Sequence, residues 1–145
     1  MSPEIKRFKT LLKKNGHFVT KPRLRLFGIL QNHNTLTIHE LIALLDSHDQ
    51  ATVYRNIKVF EDLGIISRLQ LGWRSKLELS DIFQHHHHHM TCGGCGKVLI
   101  LKDNQAIEAE IARMSQTSGF KATDHQLEIR GLCKSCQAAR KLTGN

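Results

Sequence analysis

The chain has 145 residues, of which 40% are apolar and 23% charged, and it carries a formal net charge of +8. This composition is typical of globular proteins and excludes a fibrous or largely disordered chain. Its apolar runs fall far short of the ~20 residues that a membrane-spanning helix needs, so we expect no membrane partner. The lysine-rich start lacks the apolar segment of a signal peptide, and we expect a cytoplasmic protein.

The positive charge is concentrated near the N-terminus. Residues 1–25 contain eight Lys or Arg side chains and a single acid, Glu4. Such a cluster suits a polyanion such as nucleic acid, because each neutralised phosphate releases counterions. A solvated helix face has the same composition, so charge alone leaves both interpretations open.

Four helices are predicted in the first half of the chain, each from apolar residues repeated at helical spacing. Their ends carry residues typical of helix caps and stops, namely Asn15-Gly16, Thr20, the Thr37/Glu40 capping box, Asp49 and Gly64. Residues 65–71 and 75–79 then alternate with period two, which predicts a two-stranded ribbon. Helices followed by a hairpin indicate a winged helix-turn-helix domain over residues 1–80, with a hinge over residues 81–84.

Residues 85–145 predict a second, small α/β domain. A strand through a histidine run is followed by an apolar strand over 98–101, a helix near 104–118 and a strand over 125–130. About 60 residues with few large apolar side chains form only a marginal core. This domain therefore needs a bound metal, a dimer partner or both.

The four cysteines form two C-x-x-C pairs, Cys92/Cys95 and Cys133/Cys136. A C-x-x-C turn lets both sulfurs reach one tetrahedral ion, which predicts a structural zinc site. Disulfides are not expected in a reducing compartment, and a redox-active dithiol is the alternative. The predicted fold class is thus α+β, an N-terminal winged helix-turn-helix followed by a small α/β domain with a four-cysteine zinc site.

Five consecutive histidines occupy residues 85–89. On a strand, His85, His87 and His89 face one side, while His86 and His88 face the other. Residues two apart on a strand have Cα atoms about 6.5–7 Å apart, which suits two imidazoles that bind one metal. One strand could therefore serve two metal sites, whereas a solvated polar strand is the alternative. Further candidate ligands are Glu78, Glu108 and His125.

Taken together, these segments resemble the ferric uptake regulator family of bacterial metalloregulators, over residues 16–136. The most specific matches are Val19-Thr20-Lys21-Pro22-Arg23, Ala51-Thr52-Val53-Tyr54-Arg55-Asn56 and His85 through Val98. The resemblance implies a metal-dependent transcriptional repressor rather than an enzyme. It also implies a homodimer that binds an inverted-repeat site on double-stranded DNA, and metal that activates this binding.

The resemblance also implies which residues contact DNA. The fourth helix enters the major groove, with Tyr54 and Arg55 reaching bases and phosphates and Thr52 in the same segment. Family members often place a basic residue in the minor groove just before the second helix, where this chain has His17-Phe18. The residues that could substitute for it are Lys14, Lys21 and Arg23.

Three metal sites follow from the same resemblance. The four cysteines match the structural zinc site. A second site in the dimerisation domain matches His86, His88, Glu108 and His125. The sensing site, which connects the two domains, matches Glu78, His87 and His89, with His33 as a further ligand.

The sensing ligands bear on the choice of metal. A carboxylate with imidazoles suits Fe(II), Mn(II) or Zn(II). Zinc sensors of the family usually have cysteine in the place of Glu78 and peroxide sensors aspartate, so Fe(II) is the first choice and a zinc-sensing regulator the alternative. Two rivals come from other classes. A metalloenzyme would need a substrate cleft, and a histidine-rich metal store or chaperone would leave the basic N-terminus unexplained.

Overall fold

The structure is a computed structural model that describes residues 1–46 and 49–142. The chain divides into two compact units, Met1–Gln84 (unit 1) and His85–Asn145 (unit 2). Both units contain helices and strands, as the predicted α+β class requires. None of the helices in the described ranges has the length and apolar character needed to cross a membrane.

Unit 1 consists of four helices and a hairpin. Its elements are α1 (Pro3–Lys14), α2 (Lys21–Gln31), α3 (Ile38–Leu45), α4 (Gln50–Asp62), β1 (Ile66–Leu71) and β2 (Arg74–Leu79). The predicted N-caps are confirmed, because Thr20, Thr37 and Asp49 each accept a hydrogen bond from the first turn of α2, α3 and α4. The capping box between Thr37 and Glu40 is complete. These local bonds fix where the helices begin.

The predicted ribbon is an antiparallel hairpin that runs from the pair Ile66 and Leu79 to the pair Leu71 and Arg74. Gly72 starts its two-residue turn with a φ of +62°, a conformation that favours glycine. Both strands carry buried apolar residues into the core of unit 1. The hairpin is therefore packed against the helices rather than extended into solvent.

Aromatic rings form the centre of this core. The ring of Phe27 stacks on that of Phe8 at 4.2 Å, and Phe60 of α4 meets Phe8 edge-on at 5.3 Å. Phe83 contacts Phe27 edge-on at 5.1 Å, so residues 81–84 are fixed to unit 1. Unit 2 begins directly after this segment, and the hinge role predicted for 81–84 stays a prediction.

Unit 2 contains a three-stranded sheet and two helices. Its elements are β3 (His87–Cys92), β4 (Val98–Lys102), α5 (Gln105–Thr117), β5 (Glu128–Gly131) and α6 (Lys134–Leu142). The strand order is β4-β3-β5, with β3 antiparallel to β4 and parallel to β5. The predicted strand over 125–130 is thus shorter, and His125 precedes it. Helix α6 was not predicted from the sequence.

The core of unit 2 is small. Among its described residues, the buried ones are His88, His89, Thr91 and Cys92, all on β3. Helices α5 and α6 contribute no buried residue. This agrees with the prediction that unit 2 has too little apolar burial to be stable by itself.

Candidate metal centres and nucleic-acid interface

The four cysteines converge at one end of the unit 2 sheet. Cys92 ends β3, Cys95 lies in the following turn, and Cys133 and Cys136 lie around the start of α6. All four sulfur atoms lie within 4.8 Å of one another, with Cys95 and Cys133 at 3.8 Å. A tetrahedral zinc ion with Zn–S bonds of ~2.3 Å separates its sulfurs by about 3.8 Å. The cluster therefore fits a structural zinc ion, as the C-x-x-C spacing predicts.

The backbone around the cysteines supports this arrangement. The amide of Cys133 donates to the sulfur of Cys92 at 3.2 Å. This bond, together with hydrogen bonds from Cys95 and Gly94, lowers the pKa of Cys92 to about 6. The thiolate is the metal-binding form, so Cys92 is prepared for a cation at neutral pH. Gly94 passes so close to Cys136 that an added Cβ would lie 2.9 Å from the sulfur. A larger residue there would force the turn or the Cys136 side chain to shift.

A second cluster joins three histidines to one carboxylate. Nε2 of His88 lies 2.6 Å from Oε1 of Glu108, and Nε2 of His125 lies 3.0 Å from Oε2 of the same residue. Nε2 of His86 lies 3.1 Å from Nε2 of His125. The ligand atoms of all four residues lie within 4.8 Å of one another. This set of nitrogen and oxygen donors suits a divalent transition metal.

Three segments bring this cluster together. His86 immediately precedes β3 and His88 lies on it, Glu108 lies in the first turn of α5, and His125 lies in the loop before β5. Desolvation raises the pKa of Glu108. The hydrogen bond from His88 and the charges of His125 and His86 lower this pKa by a larger amount. The net shift is below the usual value, so Glu108 is ionised and offers a carboxylate to a cation. The residues predicted for this site thus lie together.

The other histidine pair lies on the alternate positions of β3. The ring centroids of His87 and His89 are 4.8 Å apart, the same separation as for His86 and His88. Nδ1 of His87 donates to the carbonyl of His85 at 2.9 Å, whereas the side chain of His89 is buried. The run therefore separates into two histidine pairs, as the strand period predicts.

Glu78 and His33, the other predicted sensing ligands, belong to unit 1. Glu78 is a buried acid on β2, and His33 follows α2 with its Nδ1 donating to the carbonyl of Ile29 at 2.7 Å. Nε2 is then the ligand atom that His33 offers. Their membership of the sensing site stays a prediction.

The residues predicted to contact DNA lie mainly on the surface of unit 1. Tyr54 and Arg55, both near the start of α4, are exposed, and the guanidinium of Arg55 donates to the hydroxyl of Thr52 at 2.9 Å. Lys14 and Lys21 are also exposed. Lys14 ends α1 and Lys21 begins α2, whereas Tyr54 and Arg55 lie in the first turns of α4. Exposed hydrogen-bond donors and positive charges of this kind are the composition expected of a DNA-binding surface.

Arg23 differs from the other predicted DNA contacts. Its Nε donates to Oδ1 of Asn56 at 3.1 Å, and its Nη1 donates to the carbonyl of Phe18 at 2.7 Å. No role was predicted for Asn56, which is buried on α4 between Val53 and Phe60. A polar residue on the apolar stripe of a helix was the signal for such a bond.

Comparison with known proteins gives a consistent result. The model of the ferric uptake regulator family matches residues 14–130. The ferric uptake regulation protein of Escherichia coli (strain K12) is 38% identical over 131 residues, which is 86% of each chain. The crystal structure of the Vibrio cholerae ferric uptake regulator has a TM-score of 0.71 at 32% identity and covers 87% of this chain and 99% of that one.

A second solved structure is also similar. The ferric uptake regulator of Francisella tularensis, determined with iron, has a TM-score of 0.70 at 29% identity and covers 84% of this chain and 96% of that one. The four-cysteine cluster and the histidine sites described above are the kinds of site that a metal-responsive protein needs. This chain belongs to the ferric uptake regulator family, whose members are transcriptional regulators and not enzymes.

Proposed function

We propose that the protein is a metal-dependent transcriptional repressor that senses Fe(II) and binds an inverted-repeat operator as a homodimer. The observation that carries this proposal is the division of the β3 histidines into two pairs at the point where unit 2 begins. One pair joins Glu108 and His125 within unit 2. The other pair, His87 and His89, follows the DNA-binding unit in the chain by only a few residues.

Unit 1 supplies the proposed DNA-binding function as a winged helix-turn-helix. In such domains the residues at the start of the recognition helix face the bases, and α4 presents Tyr54 and Arg55 there. Thr52, Lys14 and Lys21 extend the same polar surface. Lys14 and Lys21 supply positive charge for the phosphate backbone.

Unit 2 supplies the proposed dimer contact. It exposes apolar side chains on its helix and sheet, namely Leu99, Ile107, Met114 and Ile129. Exposed apolar residues of this kind mark protein interfaces, and the small core of unit 2 leaves it in need of a partner. A twofold dimer would present two recognition helices to successive major grooves, about one helical turn apart.

The sensed metal would be bound by Glu78, His87 and His89, with His33. It would then link one carboxylate to several imidazoles. This link favours the arrangement of units in which both recognition helices meet the operator. The effect is limited by the difference in metal affinity between the binding and non-binding arrangements. Iron is preferred because position 78 holds glutamate, whereas zinc sensors are expected to have cysteine there and peroxide sensors aspartate. In addition, relatives of this chain are ferric uptake regulators.

The test is the anisotropy of a labelled A+T-rich inverted-repeat duplex, with chelator-treated protein titrated anaerobically with Fe(II), Mn(II) or Zn(II). We expect tight binding with Fe(II) at low micromolar concentration and none without metal. A response to trace Zn(II) alone would assign the protein to the zinc sensors. Metal loading well above three ions per chain without DNA binding would support a metal store instead.

The Glu78→Ala variant tests the sensing ligands. It should lose metal-dependent DNA binding while it remains a dimer in size-exclusion chromatography. Glu110→Ala is the matched control, because Glu110 is exposed on α5 and pairs with Arg113. Unchanged metal dependence in Glu78→Ala would refute this assignment.

A further inference from the structure

We propose that Arg23 is a positioning residue, which fixes recognition helix α4 relative to the loop before α2 instead of binding a DNA phosphate. The inference rests on the proposed DNA-binding function of unit 1. It assigns Arg23 a role that its charge does not suggest, since an arginine in a basic segment is usually interpreted as a phosphate contact.

Arg23 binds two separate elements with one guanidinium. Nε donates to Oδ1 of Asn56, in the middle of α4, at 3.1 Å. Nη1 donates to the backbone carbonyl of Phe18, in the loop between α1 and α2, at 2.7 Å. A guanidinium is planar, and its N–H groups point in fixed directions. The two bonds therefore set the position of the Phe18 backbone and of α4 with respect to each other.

The burial of Asn56 makes its bond to Arg23 important. Asn56 is only 8% exposed, although its neighbours Tyr54 and Arg55 face solvent. A buried amide that loses its partner bears a desolvation cost, so the contact resists displacement by an incoming phosphate. Lysine cannot replace arginine here, because one ammonium cannot reach both acceptors in the geometry of the guanidinium.

The position of α4 matters for base recognition more than for general affinity. Tyr54 and Arg55 precede Asn56 on the same helix turn, so a change in the helix at Asn56 moves both side chains. Base contacts need the side chain within hydrogen-bond reach of one base edge, whereas phosphate attraction tolerates small displacements. Loss of the Arg23 bonds should therefore reduce operator binding more than binding to random DNA.

The experiment compares Arg23→Ala, Arg23→Lys, Asn56→Ala and the Arg23→Ala/Asn56→Ala double variant in the full-length, metal-loaded protein. Affinities for operator and for a random duplex are measured by anisotropy between 50 and 200 mM salt, about the range over which phosphate contacts are most visible. Lys58→Ala removes one exposed charge from α4 and is the matched control. Urea unfolding of each variant, without DNA, reports the Arg23–Asn56 contact directly.

We expect Arg23→Ala and Arg23→Lys to weaken operator binding alike, by about tenfold to a hundredfold, and random-duplex binding by less than about threefold. The salt slope should stay that of the wild type, and the double variant should resemble Arg23→Ala. A phosphate contact predicts the opposite, namely a slope reduced by about one in Arg23→Ala, retained binding in Arg23→Lys and an equal loss on both duplexes.

These outcomes separate the inference from the proposed function. Wild-type protein that binds no duplex with any metal would overturn the proposed function and the role of Arg23 in DNA binding. Wild-type binding combined with the phosphate-contact pattern would overturn the positioning role alone. Additive effects of Arg23→Ala and Asn56→Ala in urea unfolding would also count against it.

Discussion

Unit 1 buries a chain of phenylalanine rings, whereas the most buried side chains of unit 2 belong to histidines, a threonine and a cysteine. In unit 1, Phe8, Phe27 and Phe60 are at most 1% exposed, and the ring of Phe8 contacts the other two. In unit 2, His88 and His89 on β3 are buried, and neither helix contributes a buried residue.

The two units of this chain are therefore stabilised in different ways. Apolar burial holds unit 1 together regardless of ligands, since it is proportional to the area removed from water. Unit 2 gathers groups that are costly to bury without a partner, so its stability depends on what those groups bind. The zinc at the four cysteines should therefore govern the folding of unit 2 and leave that of unit 1 almost unchanged.

The largest expected effect comes from Cys92→Ser. Structural zinc contributes an apparent ~10–16 kcal/mol in small zinc domains, and the variant loses one of four ligands. We expect unit 2 to lose zinc and its cooperative unfolding transition, while the transition of unit 1 remains. Zinc analysis and thermal denaturation by circular dichroism measure both effects. Ser135→Ala, next to Cys136 on the exposed surface of α6, is the control.

Phe27→Ala tests the comparison from the other side. Removal of a fully buried phenylalanine costs about 3–5 kcal/mol, so the urea midpoint of unit 1 should fall sharply. The zinc content of unit 2 should stay at the wild-type value. Phe18→Ala is the matched control, because Phe18 is 83% exposed. Loss of zinc from Phe27→Ala would contradict the independence of the two units.

Gly94→Ala should weaken zinc binding, because its added Cβ crowds the sulfur of Cys136. Its added Cβ would lie 2.9 Å from the sulfur of Cys136, so the turn must shift away from the ion. We expect zinc affinity to fall by about tenfold to a hundredfold, the equivalent of a moderate overpacking penalty. Competition with a chromogenic chelator measures it. The adjacent Gly93→Ala, whose Cβ would lie an ordinary 3.7 Å from the carbonyl oxygen of Gly131, should bind zinc normally.

The smallest expected effect is a pH dependence of unit 1 at Glu40. Burial raises the pKa of Glu40. Hydrogen bonds from Thr37 and the charges of Lys76 and Arg74 lower this pKa by a larger amount, so that it lies below 4.5. Ionised Glu40 therefore stabilises unit 1 above pH 4.5, and this contribution is lost as the pH falls through the lowered pKa. Glu40→Gln should cost about 0.5–1 kcal/mol at neutral pH and nothing in strong acid.

Urea unfolding of unit 1 between neutral and acid pH measures this difference. The wild-type and Glu40→Gln curves should converge on acidification. Curves that remain parallel would show that the capping box does not titrate.

Short-range signals in the sequence predicted much of this fold. The caps at Thr20, Thr37 and Asp49 depend on residues three positions apart, so the start of each helix is encoded locally. The separation of the histidine run into two pairs follows from the strand period alone. The convergence of the cysteines was predictable because each C-x-x-C turn supplies two adjacent sulfurs.

Long-range geometry accounts for what the sequence did not predict. The parallel pairing of β3 with β5 joins His89 to Glu128, and no local pattern specifies it. Helix α6 buries no described residue and carries one large apolar side chain, Leu142, so few apolar positions revealed it in the sequence. The charge of Arg23 indicated DNA, whereas its observed partners, Asn56 and Phe18, are brought to it by tertiary folding.

The five-histidine run also bears on which changes of chain length the protein tolerates. Residues 86–89 supply both histidine pairs, while His85 is exposed and precedes β3. Deletion of one histidine codon would leave four histidines to fill the same positions, provided that β3 keeps its register with its neighbours. Gln84 would then take the place of His85, and the connection from Phe83 would shorten by one residue. In an ordinary strand, loss of one residue moves every side chain before it to the opposite face of the sheet. Because the same residue is repeated here, loss of one histidine would leave a histidine at each position of both pairs.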